Sequence, residues 1–247
     1  MKKSILLFLA FPLFLVSCGS DDDNNSITLK ESEKSLNNTQ TYQIEATSDT
    51  KLSYLSENEY IAKVSESGLV TAGKVGEANI LVSDASSSKK VKITVTPKST
   101  LYPEPNIEFG ISKSDLIKKL GKPDTDTSDG IAYSNYSTNA PIALYIFDTN
   151  NKLKSSAVMV KTSFGVELEK FLTERYVLAN ESTDMAVFIN ALAIKKATML
   201  IGVQVYESTY YMTLYTPYTD TVKSATASTS ASTSDTESFK RLLKTLN

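Results

Sequence analysis

The chain of 247 residues contains no histidine and no tryptophan, a single cysteine at position 18, and only two arginines, Arg175 and Arg241. Each shortage removes a class of chemistry. Histidine is the usual general base and metal ligand near neutral pH. Without it, Ser-His-Asp and Cys-His triads are out of reach, as are zinc sites built from the usual nitrogen and sulfur donors. One cysteine permits no intrachain disulfide. Two guanidiniums offer few places for bidentate phosphate recognition, and a formal charge of −2 supplies no basic field for nucleic acid. No metal, cofactor or nucleic-acid partner is therefore expected. A carboxylate pair, a Ser-Lys dyad or a tyrosine nucleophile remain as catalytic options. Yet Asp148, Glu167, Glu169 and Asp184 show no spacing that singles out two carboxylates, as a retaining glycosidase needs at about 5–5.5 Å. A non-enzymatic protein is expected.

The chain opens with Lys2 and Lys3, an apolar run from Ile5 to Val16 interrupted by Pro12, then Ser17 and Cys18. Spanning a bilayer takes about 20 apolar residues, so this run is too short to cross. Its order of charge, apolar stretch and small residue is that of a secretory signal over 1–17. Leu15-Val16-Ser17-Cys18 resembles a bacterial lipobox, which implies cleavage before Cys18 and lipidation of its thiol, with three acyl chains on the mature protein. Several acyl chains hold a protein firmly to a membrane where one does not. Residues 18–26, with Asp21, Asp22 and Asp23, have nothing to bury and read as a solvated acidic tether. The run is similar to the surface-export signal of Bacteroidetes-type lipoproteins. It implies an outer-membrane lipoprotein displayed on the cell surface; a plain spacer on a periplasm-facing lipoprotein fits the same residues. Cleavage would leave 230 residues with a formal charge of −4, since two lysines leave with the signal.

Residues 27–97 alternate in short apolar-polar runs. Thr41 to Thr47, Ala78 to Asp84 and Lys90 to Thr96 each place apolar side chains on one face with period two. Asn37-Asn38, Ser67-Gly68, Gly73 and Gly76 punctuate them. The spacing predicts a small β-sandwich. Ile61-Ala62-Lys63-Val64, Ser67-Gly68-Leu69-Val70-Thr71 and Gly76-Glu77-Ala78-Asn79-Ile80 are similar to the bacterial Ig-like domain, group 2. That resemblance implies a spacer or adhesion module, with Gly68 and Gly76 in left-handed turns.

Pro97, Pro103 and Pro105 mark 98–106 as a stiff linker. Beyond it, Ser112 and Asp115 form a capping box. Leu116, Ile117 and Leu120 make an apolar stripe, and Gly121 and Pro123 end the helix. The pattern recurs 55 residues on: Phe109-Gly110-Ile111 corresponds to Phe164-Gly165-Val166, and Leu116-Ile117 to Phe171-Leu172. Strand-like stretches follow each helix, at 131–136, 142–147 and 153–160, then at 185–191, 198–206 and 210–216. The expected architecture is multidomain: an all-β Ig-like sandwich, then an α+β domain over 107–220 made of two helix-plus-antiparallel-sheet repeats. Gly110-Ile111-Ser112, Leu116, Leu120-Gly121 and Pro123 resemble the opening of SmpA/OmlA-type assembly lipoproteins and of β-lactamase-inhibitor-protein-like tandem domains. Those families imply protein binding without chemistry. The second copy lacks the Leu-Gly-x-Pro ending and has Arg175-Tyr176-Val177-Leu178 instead.

In the last two strand-like stretches Gln204 and Tyr206 alternate with Val203 and Val205, and Tyr211, Thr213 and Tyr215 alternate with Met212 and Leu214. A sheet face gathering Gln204, Tyr206, Tyr211, Thr213 and Tyr215 is a candidate site for a protein or glycan ligand, because tyrosine joins large contact area to a hydroxyl. Tyrosine also favours strands with no ligand at all. The Ser/Thr/Ala-rich stretch 221–236 is a low-complexity linker. In it, Asp220-Thr221-Val222 resembles a Bacteroidetes O-glycosylation pattern at Thr221. Finally, 237–247 forms an amphipathic helix, with Phe239, Leu242, Leu243 and Leu246 on one side. Too short to be stable alone, it is expected to dock on the chain's own apolar surface.

Overall fold

A computed structural model describes residues 27–219 and 233–246. Cys18, the tether and Thr221 lie outside the described residues, so lipidation and glycosylation have no structural account. The chain is mostly β. Helix is confined, among the described residues, to α1 (Lys113–Leu120), α2 (Gly165–Arg175), α3 (Thr233–Leu243) and two short 3-10 turns.

The first unit is an Ig-like sandwich. One sheet has the order β2 (Glu33–Asn37), β9 (Ser88–Thr96), β8 (Gly76–Ser83), β5 (Ser53–Ser56), and the facing sheet the order β3 (Thr41–Gln43), β7 (Leu69–Ala72), β6 (Ala62–Val64). A short ladder joins β1 (Thr28–Leu29) to β4 (Ala46–Thr47). The period-two pattern is the cause of the core: Ala78, Ile80 and Val82 of β8 and Val91, Ile93 and Val95 of β9 all point inward. The expected single strand over Thr41 to Thr47 is broken at Ile44-Glu45. Its first half pairs with β7 and its second with β1, so the chain changes partners there, as sandwich corners do. Gly68 has φ +82°, and a Cβ on it would stand 2.8 Å from the Tyr54 ring, so both backbone and space require glycine.

The second unit is one eight-stranded antiparallel sheet. It runs β10 (Thr125–Asp126), β11 (Gly130–Ser134), β12 (Ile142–Phe147), β13 (Leu153–Lys161), then β17 (Tyr210–Pro217), β16 (Met199–Tyr206), β15 (Met185–Ile189) and β14 (Val177–Glu181). Helices α1 and α2 lie on one face. Leu116 of α1 packs with Ile131, Ala143 and Tyr145; Leu168, Phe171 and Leu172 of α2 pack with Val158, Val160, Ile201 and Tyr215. The Ser112 hydroxyl accepts the Asp115 N–H at 3.1 Å, as a cap should, but the Asp115 carboxylate takes the Ser112 hydroxyl at 2.6 Å rather than reaching the cap's backbone. Leu120 is exposed, so only part of the expected stripe is buried. Helix α2 begins at Gly165, so Gly165 and Val166 are helical where their counterparts Gly110 and Ile111 are not, and Phe164 closes a 3-10 turn just before it.

The opposite face is covered by α3. Phe239, Leu242 and Leu243 are buried against Leu144, Ile146, Met159, Met212 and Leu214. Gly130 permits this close approach, since a Cβ there would lie 2.9 Å from Leu242 and 3.0 Å from Ile146. At the start of the helix, Asp235 is buried. Its carboxylate accepts from the Ser155 hydroxyl at 2.7 Å and from the Lys154 ammonium.

Residues 98–106 are not a free-standing linker. Leu101 and Tyr102 are buried in the second unit, with the Tyr102 ring 4.2 Å from that of Phe171 and its hydroxyl 2.9 Å from that of Tyr215. Two large apolar side chains between the prolines gain more by burial than an extended spacer would. The Ig-like unit also touches the end of α2, where the last carbonyls lack helical partners. The Val75 N–H donates to the Glu174 carbonyl at 2.9 Å and Lys74 Nζ to that of Thr173 at 2.5 Å. The Tyr60 hydroxyl donates to the Arg175 carbonyl. The Glu174 carboxylate in turn accepts the N–H groups of Lys98 and Ser99, each at 3.0 Å. Three donors, one of them the Lys74 cation, thus meet the negative end of the helix dipole.

Candidate functional site

The five residues expected to share one face do not. In the β16–β17 hairpin Ile201 pairs with Tyr215, Val203 with Thr213 and Val205 with Tyr211, while Gln204 pairs with Met212 and Tyr206 with Tyr210. Paired residues point the same way. Tyr211, Thr213 and Tyr215 therefore face α2, and Gln204 and Tyr206 face the α3 side. The cause is the turn. Glu207, Ser208 and Thr209 make a three-residue loop, with Glu207 and Ser208 at positive φ. A two-residue turn would have aligned Gln204 with Tyr211. Thr213 and Tyr215 are moreover fully buried, at 0% exposure, and cannot meet a ligand. Gln204 and Tyr206 are half-buried near α3, and only Tyr211 borders an open cavity.

Tyr215 belongs instead to a buried phenol cluster. Its hydroxyl shares a hydrogen bond with that of Tyr102, Tyr176 packs edge-on to its ring at 6.2 Å, and the Tyr176 hydroxyl donates to the Glu104 carboxylate. Burial pushes the Tyr102, Tyr176 and Tyr215 hydroxyls well above the usual phenol range, with Glu104 adding to the effect at Tyr176. These phenols stay neutral at physiological pH and are poor nucleophiles. Burial also pushes Tyr145 up to about 12. Because the unfolded phenols ionise near 10, their contribution to stability is complete below pH 10 and is lost as pH rises through the folded values. Thermal unfolding is expected to be flat from pH 7 to 9 and to fall steeply above pH 10; a midpoint unchanged at pH 11.5 would contradict the burial of this cluster.

The open cavity is a groove of about 510 Å³ between α2 and the outer strands of the sheet. That lies in the usual range of binding clefts, about 300–1,000 Å³. Between α2 and β14 the sheet face carries an open cleft. Phe188, Val203 and Tyr211 form the floor, Val166 and Glu169 the helix wall, Leu178 and Glu181 the far rim. Leu178 and Glu181 could not share a face on a regular strand. A bulge between Leu178 and Asn180 turns both toward the groove, opposite Phe188 and Ala186. Val166 is 60% exposed, Leu178 45%, and Val205, on the same face, 56%. Among the described residues the carboxylates of Glu169 and Glu181 have no hydrogen-bond or ion-pair partner. Glu169 stood out in the sequence only as one of several unpaired carboxylate candidates, and the others not at all: Val177 to Glu181 shows no strand alternation, and Val166 carries no ligand signature. Among the described residues no three acidic or sulfur-bearing side chains gather to hold a metal ion.

Residues 24–99 match the family model of the bacterial Ig-like domain (group 2), in agreement with the sandwich, and this segment is such a domain. No curated protein matches the chain. Among solved structures it is similar to surface layer protein SbsC, domains 4–9, at 12% identity and TM-score 0.25, covering 78% of this chain and 27% of that one. It is also similar to the C-terminal domain of TagH, at 13% identity and TM-score 0.28, covering 69% and 99%. A third is human protocadherin-24 EC1-2, at 14% identity and TM-score 0.26, covering 78% and 95%. The chain thus spans about a quarter of the SbsC structure. At these identities and TM-scores the likenesses carry no argument about function.

Proposed function

We propose that this chain is a non-enzymatic lipoprotein of the bacterial outer membrane, displayed on the cell surface, whose Ig-like domain presents a binding domain for another protein. We read 107–219 as two copies of one unit, α1 with β10–β13 and α2 with β14–β17, joined where β13 pairs with β17. The mirrored strand order on the two sides of that joint supports this reading. The anchor rests on Cys18, placed between a short apolar run and an acidic tether.

The observation that carries the binding role is the α2–β14 groove, with exposed aliphatic side chains next to two carboxylates. Contiguous exposed apolar surface with a polar rim is the mark of an interaction site. The Ig-like domain grips the far end of the same helix, which favours an oriented support over a loose string. Two measurements test the proposal. Cys18→Ser is expected to abolish acylation and release the protein from the membrane fraction; retention there would overturn the anchor. Protease added to intact cells is expected to remove the second unit; protection in intact cells and loss after permeabilisation would place it in the periplasm.

A further inference from the structure

We infer that the α2–β14 groove takes a cationic, aliphatic segment of a partner protein, one in which lysine or arginine side chains stand next to valine, leucine or isoleucine. This rests on reading the groove as the binding site and names the chemistry of what fills it. The floor of Phe188 and Val203 and the exposed Val166 and Leu178 offer only apolar contact. The charges around them are of one sign at the rim: Glu169 on the helix and Glu181 on the strand, on opposite sides of the cleft and unengaged among the described residues. A segment bearing cations would meet a carboxylate on either side while its aliphatic groups cover the floor. An acidic segment would bring like charges together in a cleft that partly excludes water, which discriminates against it strongly.

Other occupants fit less well. A glycan is commonly gripped by aromatic faces and polar donors, and here only Tyr211 and Phe188 are aromatic, the latter buried. A second copy of this chain would bring its own Glu169 and Glu181 with it if the same face were used twice, as two-fold pairing requires. Pairing along the outer edge of β14 is opposed by the bulge, which twists an edge away from a new strand. Side chains in the groove, rather than the open edge, are therefore the means of recognition.

The test uses the purified full chain and two synthetic peptides of about seven residues, one alternating lysine with valine and the other glutamate with valine, titrated by NMR or calorimetry at low salt. The lysine peptide is expected to bind and the glutamate peptide not. Glu169→Gln with Glu181→Gln should weaken the lysine peptide by about tenfold, as two partly exposed ion pairs allow, and added salt should do the same to the parent protein. Val166→Asn, at a position already open to water, should weaken it with no change in thermal stability. Equal binding of both peptides, indifference to the paired glutamine changes, displacement by a neutral oligosaccharide, or self-association lost in the same variants would each overturn the inference. A photo-crosslinker at position 166 in intact cells separates this from the reading beneath it. A crosslinked partner whose contact segment lacks basic residues refutes the cationic chemistry and leaves the groove as the site. No crosslink there, with one elsewhere on the second unit, refutes both.

Discussion

Tyr215→Ala is expected to destabilise the second unit by about 3–5 kcal/mol, the cost of truncating a large buried aromatic side chain. The ring is fully buried between the sheet and α2, edge-on to Tyr176. Removing it also takes from the buried Tyr102 hydroxyl a hydrogen-bond partner at 2.9 Å. Tyr215→Phe keeps the ring and should cost about 1–3 kcal/mol, the penalty of a buried polar group left unpaired. Tyr211→Ala, at a half-buried position, should cost less than Tyr215→Ala and leave the fold intact. The measurement is denaturant unfolding followed by tyrosine fluorescence and circular dichroism. If Tyr215→Ala cost no more than Tyr211→Ala, Tyr215 would not be the core residue described, and its place in a binding face would reopen.

Phe239→Ala should give the second large effect, but with a ceiling. The side chain is fully buried on the α3 side of the sheet, and truncation there costs about 3–5 kcal/mol where the surroundings cannot relax. Here they can, because the helix can leave. The loss cannot exceed the free energy with which α3 docks. Phe239→Ala and Phe239→Asp should therefore converge on one stability, that of the chain with α3 released. Both should make 233–246 sensitive to protease and expose Met212, Leu214 and Leu144 to a hydrophobic dye. A graded series, with aspartate far worse than alanine and no gain in protease sensitivity, would show that α3 does not detach as a unit. Gly130→Val acts on the same contact from the other side, since its new side chain would press on Leu242 and Ile146. It should mimic Phe239→Ala.

The structure and the sequence part company at identifiable places. The capping serine of α1, the inward alternation of β8 and β9, and the left-handed turn at Gly68 are set by residues within a few positions of one another, so they were legible. The apolar stripe of α3 was legible too, though the surface it covers was not. Strand β14 was missed because an edge strand with a bulge buries little and so has no alternation to read. The grouping of Gln204 and Tyr206 with Tyr211, Thr213 and Tyr215 failed on one turn: alternation fixes which residues of a strand agree with each other, and only the loop length fixes how two strands agree.

Sequence alone therefore determined the Ig-like unit, the two capped or patterned helices, and the chemistry excluded by the lack of histidine, all of which follow from residue type and short-range periodicity. The tertiary structure decided that Leu101 and Tyr102 belong to a core, that the Ig-like unit seals the end of α2, and that the accessible tyrosine is Tyr211 rather than Tyr215. It also decided that Leu178 and Glu181 share one cleft with Val166. Those outcomes depend on contacts between residues far apart in the chain, whose register and burial are fixed only when the whole sheet closes over its helices.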